Sequence, residues 1–417
     1  MKQLESQGLT DIEEICDYLY EHYVQQVDQG LYSNGRYIER GSDVKAKVST
    51  ALGDSSQECI LWCINHYLGL NRNQKVIDKV CKAVQEYGTG SGTSALSGGM
   101  STLHKQVEHK LQQLIGKESV LLFPTGFTAN LGCLSALPGK NDIIIFDREC
   151  HASIIDGIKL SGKKWVTFKH NNLHDLEQKL SKYQGDYENI FVVVESAYSM
   201  SGDLAPLQEI VLLKQKYKFL IYVDEAHTFG IYGTNGAGYC SHLNLVENID
   251  FIVASLSKAI ASIGGFVAMK SKYIPLLHWR ANAYTFQTCL TPGDAAAILA
   301  SLEEIENNSR LINSLHKNNQ YMRQHLKNLG FDLGTSQSPI IPIFIPDVEK
   351  LQAFNKELYS RGIFSVSIFY PVVKPHEGRI RFTLSTTHTK EHIDTTVKVL
   401  HELGLKHGVI KSEMVAA

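Results

Sequence analysis

The chain has 417 residues, of which 43% are hydrophobic and 20% charged, with 41 Lys and Arg against 43 Asp and Glu. This is globular composition at a length beyond one small domain, and it excludes a disordered, collagen-like or coiled-coil chain. A net charge of -2 gives no global field for nucleic acid or anionic lipid.

No apolar run reaches the ~20 residues of a membrane helix. The start, MKQLESQGLTDIEE, lacks the apolar stretch of a signal peptide. Eight cysteines are scattered, with only Cys59 and Cys63 close together, which predicts reduced thiols in a cytoplasmic protein.

Along the chain, residues 1–64 read as a charged amphipathic helix and an arm that contains the irregular stretch LYSNGRYIERGSD. Residues 65–292 carry a strand–helix rhythm. Its strands are VLLF, DIIIFD, KWVTFKH, IFVVVES, KFLIYVDEAH, DFIVASLS and GGFVAMK, and several are apolar throughout, as strands covered on both faces are. Helical patterns such as ASIIDGIKLSG and APLQEIVLLKQKY separate them. The expected fold is α/β, a mostly parallel sheet wrapped by helices, with ligands beyond the carboxyl ends of the strands. Residues 293–417 change texture. One long helical stretch from DAAAILA to HLKNLG leads to PIIPIFI, a helix, FSVSIFYP, RIRFTLS and a last helix, which predicts a smaller α+β domain with a frayed tail, GVIKSEMVAA.

The chemistry concentrates between Asp224 and Lys258. Asp224 and His227 close an apolar strand, and Lys258 follows the next, in SLSKAIASIGG. A lysine held there is partly desolvated, which lowers its pKa and frees the amine to attack an aldehyde. A buried carboxylate at Asp224 suits a pyridine nitrogen that must stay protonated. The same spacing also suits a solvated loop lysine and a helix cap. In FPTGFTANLG, Gly126 and Phe127 fall at a helix start, where free N–H groups attract phosphate. His151 lies past DIIIFD, where an imidazole can stack on a flat ring or serve as an ordinary satisfied histidine. Ser199 and Ser255 also fall at strand ends. Together these features point to pyridoxal 5′-phosphate (PLP).

On NHYLGL, LHKQVEHKL, TGFTAN, HASIIDG, SMSGDLAPL, VDEAHTFGIYGTNGAG, SLSKAIASIGG, TFQTCLTP and FYPVV followed by GRIRFTLSTTHT, the chain resembles the α-oxoamine synthase family of fold-type I PLP enzymes, from about Ile64 to the last helix. The resemblance implies that Lys258 is the Schiff-base lysine and later moves the α-proton. Asp224 would pair with the pyridinium nitrogen and His151 would stack on the ring. His227 and Ser199 would lie near the ring oxygen or the reacting carbonyl. Gly126, Phe127 and Ser255 would hold the phosphate, with Thr288 reaching across from a partner subunit. Arg381 would grip the substrate carboxylate beside Asn65, although Arg379 shares its strand face and is equally placed by spacing. The implied activity is condensation of a small amino acid with an acyl-CoA, usually with decarboxylation, by a homodimer with shared sites. Another fold-type I reaction, such as transamination or retro-aldol cleavage, and a non-catalytic partner subunit are the alternatives. One departure stands out: Ala95 takes the place of an arginine usual in the family, in a segment that lines the substrate entrance.

Overall fold

The apolar runs between residues 119 and 269 all become strands of one sheet. They are β1 (Ser119–Phe123), β2 (Ile143–Asp147), β3 (Lys164–Phe168), β4 (Ile190–Glu195), β5 (Leu220–Asp224), β6 (Phe251–Ser255) and β7 (Gly265–Met269). This computed structural model describes residues 10–28, 36–49 and 56–411. The strand order is β1-β7-β6-β5-β4-β2-β3. Neighbours run parallel except β7, which is antiparallel to β1 and β6. Strands β1, β2, β4 and β7 are buried along their whole length, because helices cover both faces. At the sheet edge, β3 exposes Lys164, Trp165 and Thr167.

Strand direction makes the site. The parallel strands bring Asp147, Glu195, Asp224 and Ser255 to one rim. Glu195 and Asp224 are direct register partners there. Because β7 runs the other way, its first residue, Gly265, joins the same rim, opposite Ser255 and Phe123. Thr125 then caps the helix Gly126–Ala136 with its side chain, so that helix starts at the rim too.

Beyond the sheet, the expected single helical stretch is two helices, Pro292–Asn307 and Arg310–Asn328. The break is at Asn308, with φ -138 and ψ 76, where asparagine readily leaves helical geometry. A three-stranded antiparallel sheet follows, in the order Ile340–Phe344, Arg379–Thr383, Val366–Ile368. The helices Val348–Ser360 and Lys390–Lys406 accompany it.

At the N-terminus the helix Ile12–Asp28 forms as expected. The expected irregular stretch contains a short strand, Tyr37–Ile38, paired to Lys45–Ser49, which in turn pairs with Gln57–Leu61. Gln57–Leu61 then lies parallel to Ile363–Phe364. The first residues of that stretch, 31–35, and most of the tail, 412–417, lie outside the described residues. No described helix is long and apolar enough to cross a membrane.

Candidate active site

A cavity of about 270 Å³ opens at the rim. One end of it is an anion cradle. The Thr125 hydroxyl accepts from the Thr128 N–H, and Ala129 N–H donates to the Thr125 carbonyl. The Gly126 and Phe127 N–H groups at the start of the helix have no hydrogen-bond partner among the described residues. Facing them, the Ser255 and Ser257 hydroxyls lie 2.6 Å apart. Only glycine fits at 126, since a Cβ there would stand 2.5 Å from the Ser255 Cβ. Gly265 is held for the same reason: a Cβ would meet the Thr125 carbonyl oxygen at 2.5 Å. Free N–H groups, hydroxyls and a positive helix end together suit a phosphate.

The other end carries the titratable groups. Burial lowers the Lys258 amine, opposed by Asp224 and Glu195 and aided by Arg381. Asp224 is held on both oxygens: Asn130 Nδ2 donates to Oδ2 at 2.7 Å, and Ala226 N–H donates to Oδ1 at 2.8 Å. Asn130 Nδ2 also donates to the Ser153 hydroxyl at 3.0 Å, while its Oδ1 accepts from Tyr222 at 2.8 Å. His151 caps the helix Ala152–Leu160, with Nδ1 2.8 Å from the Ser153 hydroxyl. Its backbone N–H donates to Glu195 Oε1. Burial, then repulsion from Asp224, pushes the Glu195 carboxyl well above the usual range. Burial likewise pushes the His227 imidazole well down, helped by Lys258 and Arg381. The Tyr67 hydroxyl sits 2.7 Å from His227 Nδ1.

Arg381 approaches from the small sheet. Its Nε donates to the Ser199 carbonyl at 2.6 Å, Nη1 to the Thr383 hydroxyl at 2.9 Å and Nη2 to Asn65 Oδ1 at 3.0 Å. Asn65 reaches it because Thr383 N–H donates to the Trp62 carbonyl and Thr386 N–H to the Tyr67 carbonyl. Arg379 points elsewhere: it donates to the Glu377 carbonyl and carboxylate and packs over Phe344, 4.4 Å from the ring centre. A second cavity of about 790 Å³ adjoins the first at His151, with Ser199, Val372, Lys374 and Arg379 on its walls.

A family model described as aminotransferase class I and II matches residues 57–400. A serine palmitoyltransferase of Bacteroides thetaiotaomicron is 39% identical over 372 residues, 89% of this chain and 93% of that protein. An 8-amino-7-oxononanoate synthase of Thermoanaerobacter pseudethanolicus is 34% identical over 394 residues, 94% of this chain and 98% of that protein. Among solved structures, the Sphingomonas wittichii serine palmitoyltransferase superposes with a TM-score of 0.90 at 29% identity, covering 96% of this chain and 100% of that one. The chain belongs to the α-oxoamine synthase family. A further neighbour in that family, a lysine-to-alanine variant of the S. paucimobilis serine palmitoyltransferase, was solved with a bound PLP–myriocin aldimine, at a TM-score of 0.90 and 28% identity.

For this family member, most of the residues singled out from sequence meet around one rim. Gly126, Phe127, His151, Asp224, His227, Ser255 and Lys258 all line the first cavity. Asn65 and Arg381 meet each other as expected, at a distance from His227 and Lys258 short enough for Arg381 to lower both. Ser199 meets Arg381 through its carbonyl, and its side chain borders the second cavity instead of the first. Thr288 pairs with Ser94 and does not line the first cavity within one chain. Ala95, the residue in place of the family arginine, borders a separate small pocket with Met100, His104 and Tyr284. Sequence reasoning missed Asn130, Ser153, Glu195 and Ser257. Glu195 carried a readable signal, since it ends an apolar strand as Asp224 does.

Proposed function

We propose that this chain is a PLP-dependent acyltransferase that condenses a small amino acid with an acyl-CoA, with decarboxylation, to an α-aminoketone. The observation that carries the reading is the meeting, in one cavity, of a buried amine at Lys258, a doubly held carboxylate at Asp224 and an anion cradle that only Gly126 can build.

These residues fit PLP by chemistry and shape. The Gly126 and Phe127 N–H groups with the Ser255 and Ser257 hydroxyls would hold its phosphate, Asp224 its ring nitrogen, and Lys258 its aldehyde carbon. Bound there, PLP supplies an electron sink that makes the α-carbon of an amino acid acidic. Lys258 Nζ, lowered by burial, takes up that α-proton and returns it. Arg381 binds the substrate carboxylate with its remaining N–H groups, and Asn65, Thr383 and the Ser199 carbonyl fix the plane of the fork. Tyr67, whose phenol burial pushes up, stays protonated and donates to His227 Nδ1. That leaves the His227 Nε2–H to donate to an oxygen on which charge develops. The thioester approaches through the second cavity, where apolar Val372 lies beside Lys374 and Arg379, cations that are ion-paired to Glu149 and Glu377 on the same wall.

The working unit is a homodimer with shared sites. Trp279 and Phe286 are 90% and 80% exposed, and Phe286 lies on the same segment as Thr288. Eight free cysteines support a reducing, cytoplasmic setting. The decisive assay sets a panel of acyl-CoAs against a panel of amino acids, with PLP present, and follows thiol release. Release that needs both substrates, with CO₂ and an aminoketone as products, is the expected result. Thiol release independent of amino acid, or none with any pair, overturns the proposal.

A further inference from the structure

The hydrogen bonds around Asn130 can run in only one direction. A carboxylate accepts and cannot donate, so the Asn130 atom 2.7 Å from Asp224 Oδ2 is the amide nitrogen. Its carbonyl oxygen therefore faces the Tyr222 hydroxyl, which donates to it. The second N–H of the same amide points to the Ser153 oxygen at 3.0 Å. With its oxygen accepting there, Ser153 sends its own proton to His151 Nδ1, 2.8 Å away. The Ser153 backbone N–H is also directed at Nδ1, at 3.2 Å. Nδ1 thus meets two donors and carries no proton of its own.

We infer that Asn130 and Ser153 are positioning residues that link Asp224 to His151 through oriented hydrogen bonds and hold that imidazole as the neutral Nε2–H tautomer. The inference rests on the reading above, in which His151 faces the ring whose nitrogen Asp224 holds. A neutral face against a cationic ring avoids the repulsion that an imidazolium would bring. Both residues are nearly inaccessible, Ser153 at 1% and Asn130 at 2% exposure, so no solvent replaces either link. Burial and the neighbouring charges together lower the imidazole. Asp224 and Asp156 favour the imidazolium, while burial and Lys258 oppose it; His227 is close, and Glu195 holds the backbone N–H. Burial prevails and keeps the ring neutral, and the relay selects which nitrogen keeps the proton.

The test begins on protein without PLP, carrying isotope-labelled histidine, with the His151 signal assigned by its loss in His151→Gln. The expected wild-type state is the Nε2–H tautomer, titrating below the ordinary histidine value. In Ser153→Ala, Nδ1 loses its main donor. The backbone N–H of residue 153 still faces Nδ1, so the Nδ1–H form should appear as a minority and the titration midpoint should rise. PLP affinity, read by absorbance titration, should fall about tenfold in Ser153→Ala, as for one lost bond in a charge-linked network. Asn130→Ala should do the same, and the double variant should lose no more than the worse single one. A wild-type His151 protonated on Nδ1, a Ser153→Ala protein unchanged in tautomer and affinity, or losses that multiply in the double variant would each overturn the relay. If Asn130→Ala does not fold, Ser153→Ala alone decides. Should wild type take up no PLP, the proposed function fails, while tautomer and titration still judge the relay.

Discussion

Glu225, next to the proposed ring partner, sets a measurable pH dependence on stability. Its carboxyl is fully buried. Oε1 accepts from the Cys240 N–H at 2.6 Å, and Oε2 has no hydrogen-bond partner among the described residues. The loop closes tightly over it, for a Cβ on Gly238 would lie 1.7 Å from Oε2. Burial, only partly offset by the N–H and thiol of Cys240 and the N–H of Tyr239, pushes the carboxyl up to about 7 from an ordinary 4.5. A raised carboxyl favours folding while it is protonated in the native state. The stability it contributes is therefore complete below about 4.5 and drains away as pH climbs through about 7. The gap corresponds to about 3 kcal/mol. Glu225→Gln removes the titration and keeps an oxygen for Cys240. Urea unfolding of both proteins without PLP, at pH 5, 6, 7 and 8, gives the difference in stability at each pH. Whatever fixed cost the amide brings, the difference should move in favour of the variant by about 2.5 kcal/mol between pH 5 and 8, since part of the gap is already lost at pH 5. A constant difference would refute the reasoning and place a proton donor or a water at Oε2.

Lys258→Ala should fold and bind PLP without a covalent bond. Borohydride treatment followed by intact-mass measurement should show an adduct on wild type alone, and turnover should fall about a thousandfold or more. Arg381→Lys should raise the amino-acid KM about tenfold or more with little change for acyl-CoA, because ammonium cannot reproduce a fork held at three points. Arg379→Lys should leave that KM in place, and the reverse pattern in steady-state kinetics would move the carboxylate site to Arg379. Gly126→Ala should weaken PLP binding about a hundredfold by absorbance titration, as its methyl would push Ser255 out of the cradle.

The sheet was legible because its strands are continuous apolar runs, and burial on both faces leaves a strong local mark. The N-terminal strands left no such mark. Lys45–Ser49 buries only its last two residues, and the edge partner of Gln57–Leu61 is Ile363–Phe364, some three hundred residues on. Pairing at that separation is invisible to any local pattern. The same contrast runs through the site. Lys258 and Asp224 stand out as charges after apolar strands. Asn130 and Ser153 sit inside the helices Gly126–Ala136 and Ala152–Leu160, where a polar residue reads as surface until the fold shows it buried. Ser257 was within reach, since it lies two residues after Ser255 and one before Lys258.

The residues around Arg381 come from three distant parts of the chain: Asn65, Ser199 and the strand Arg379–Thr383. The cradle and the groups around Lys258 come from one stretch, residues 125–265. The vitamin-binding half of the pocket is thus local in sequence, whereas the half that selects a carboxylate exists only where the tertiary fold closes three remote segments on one another.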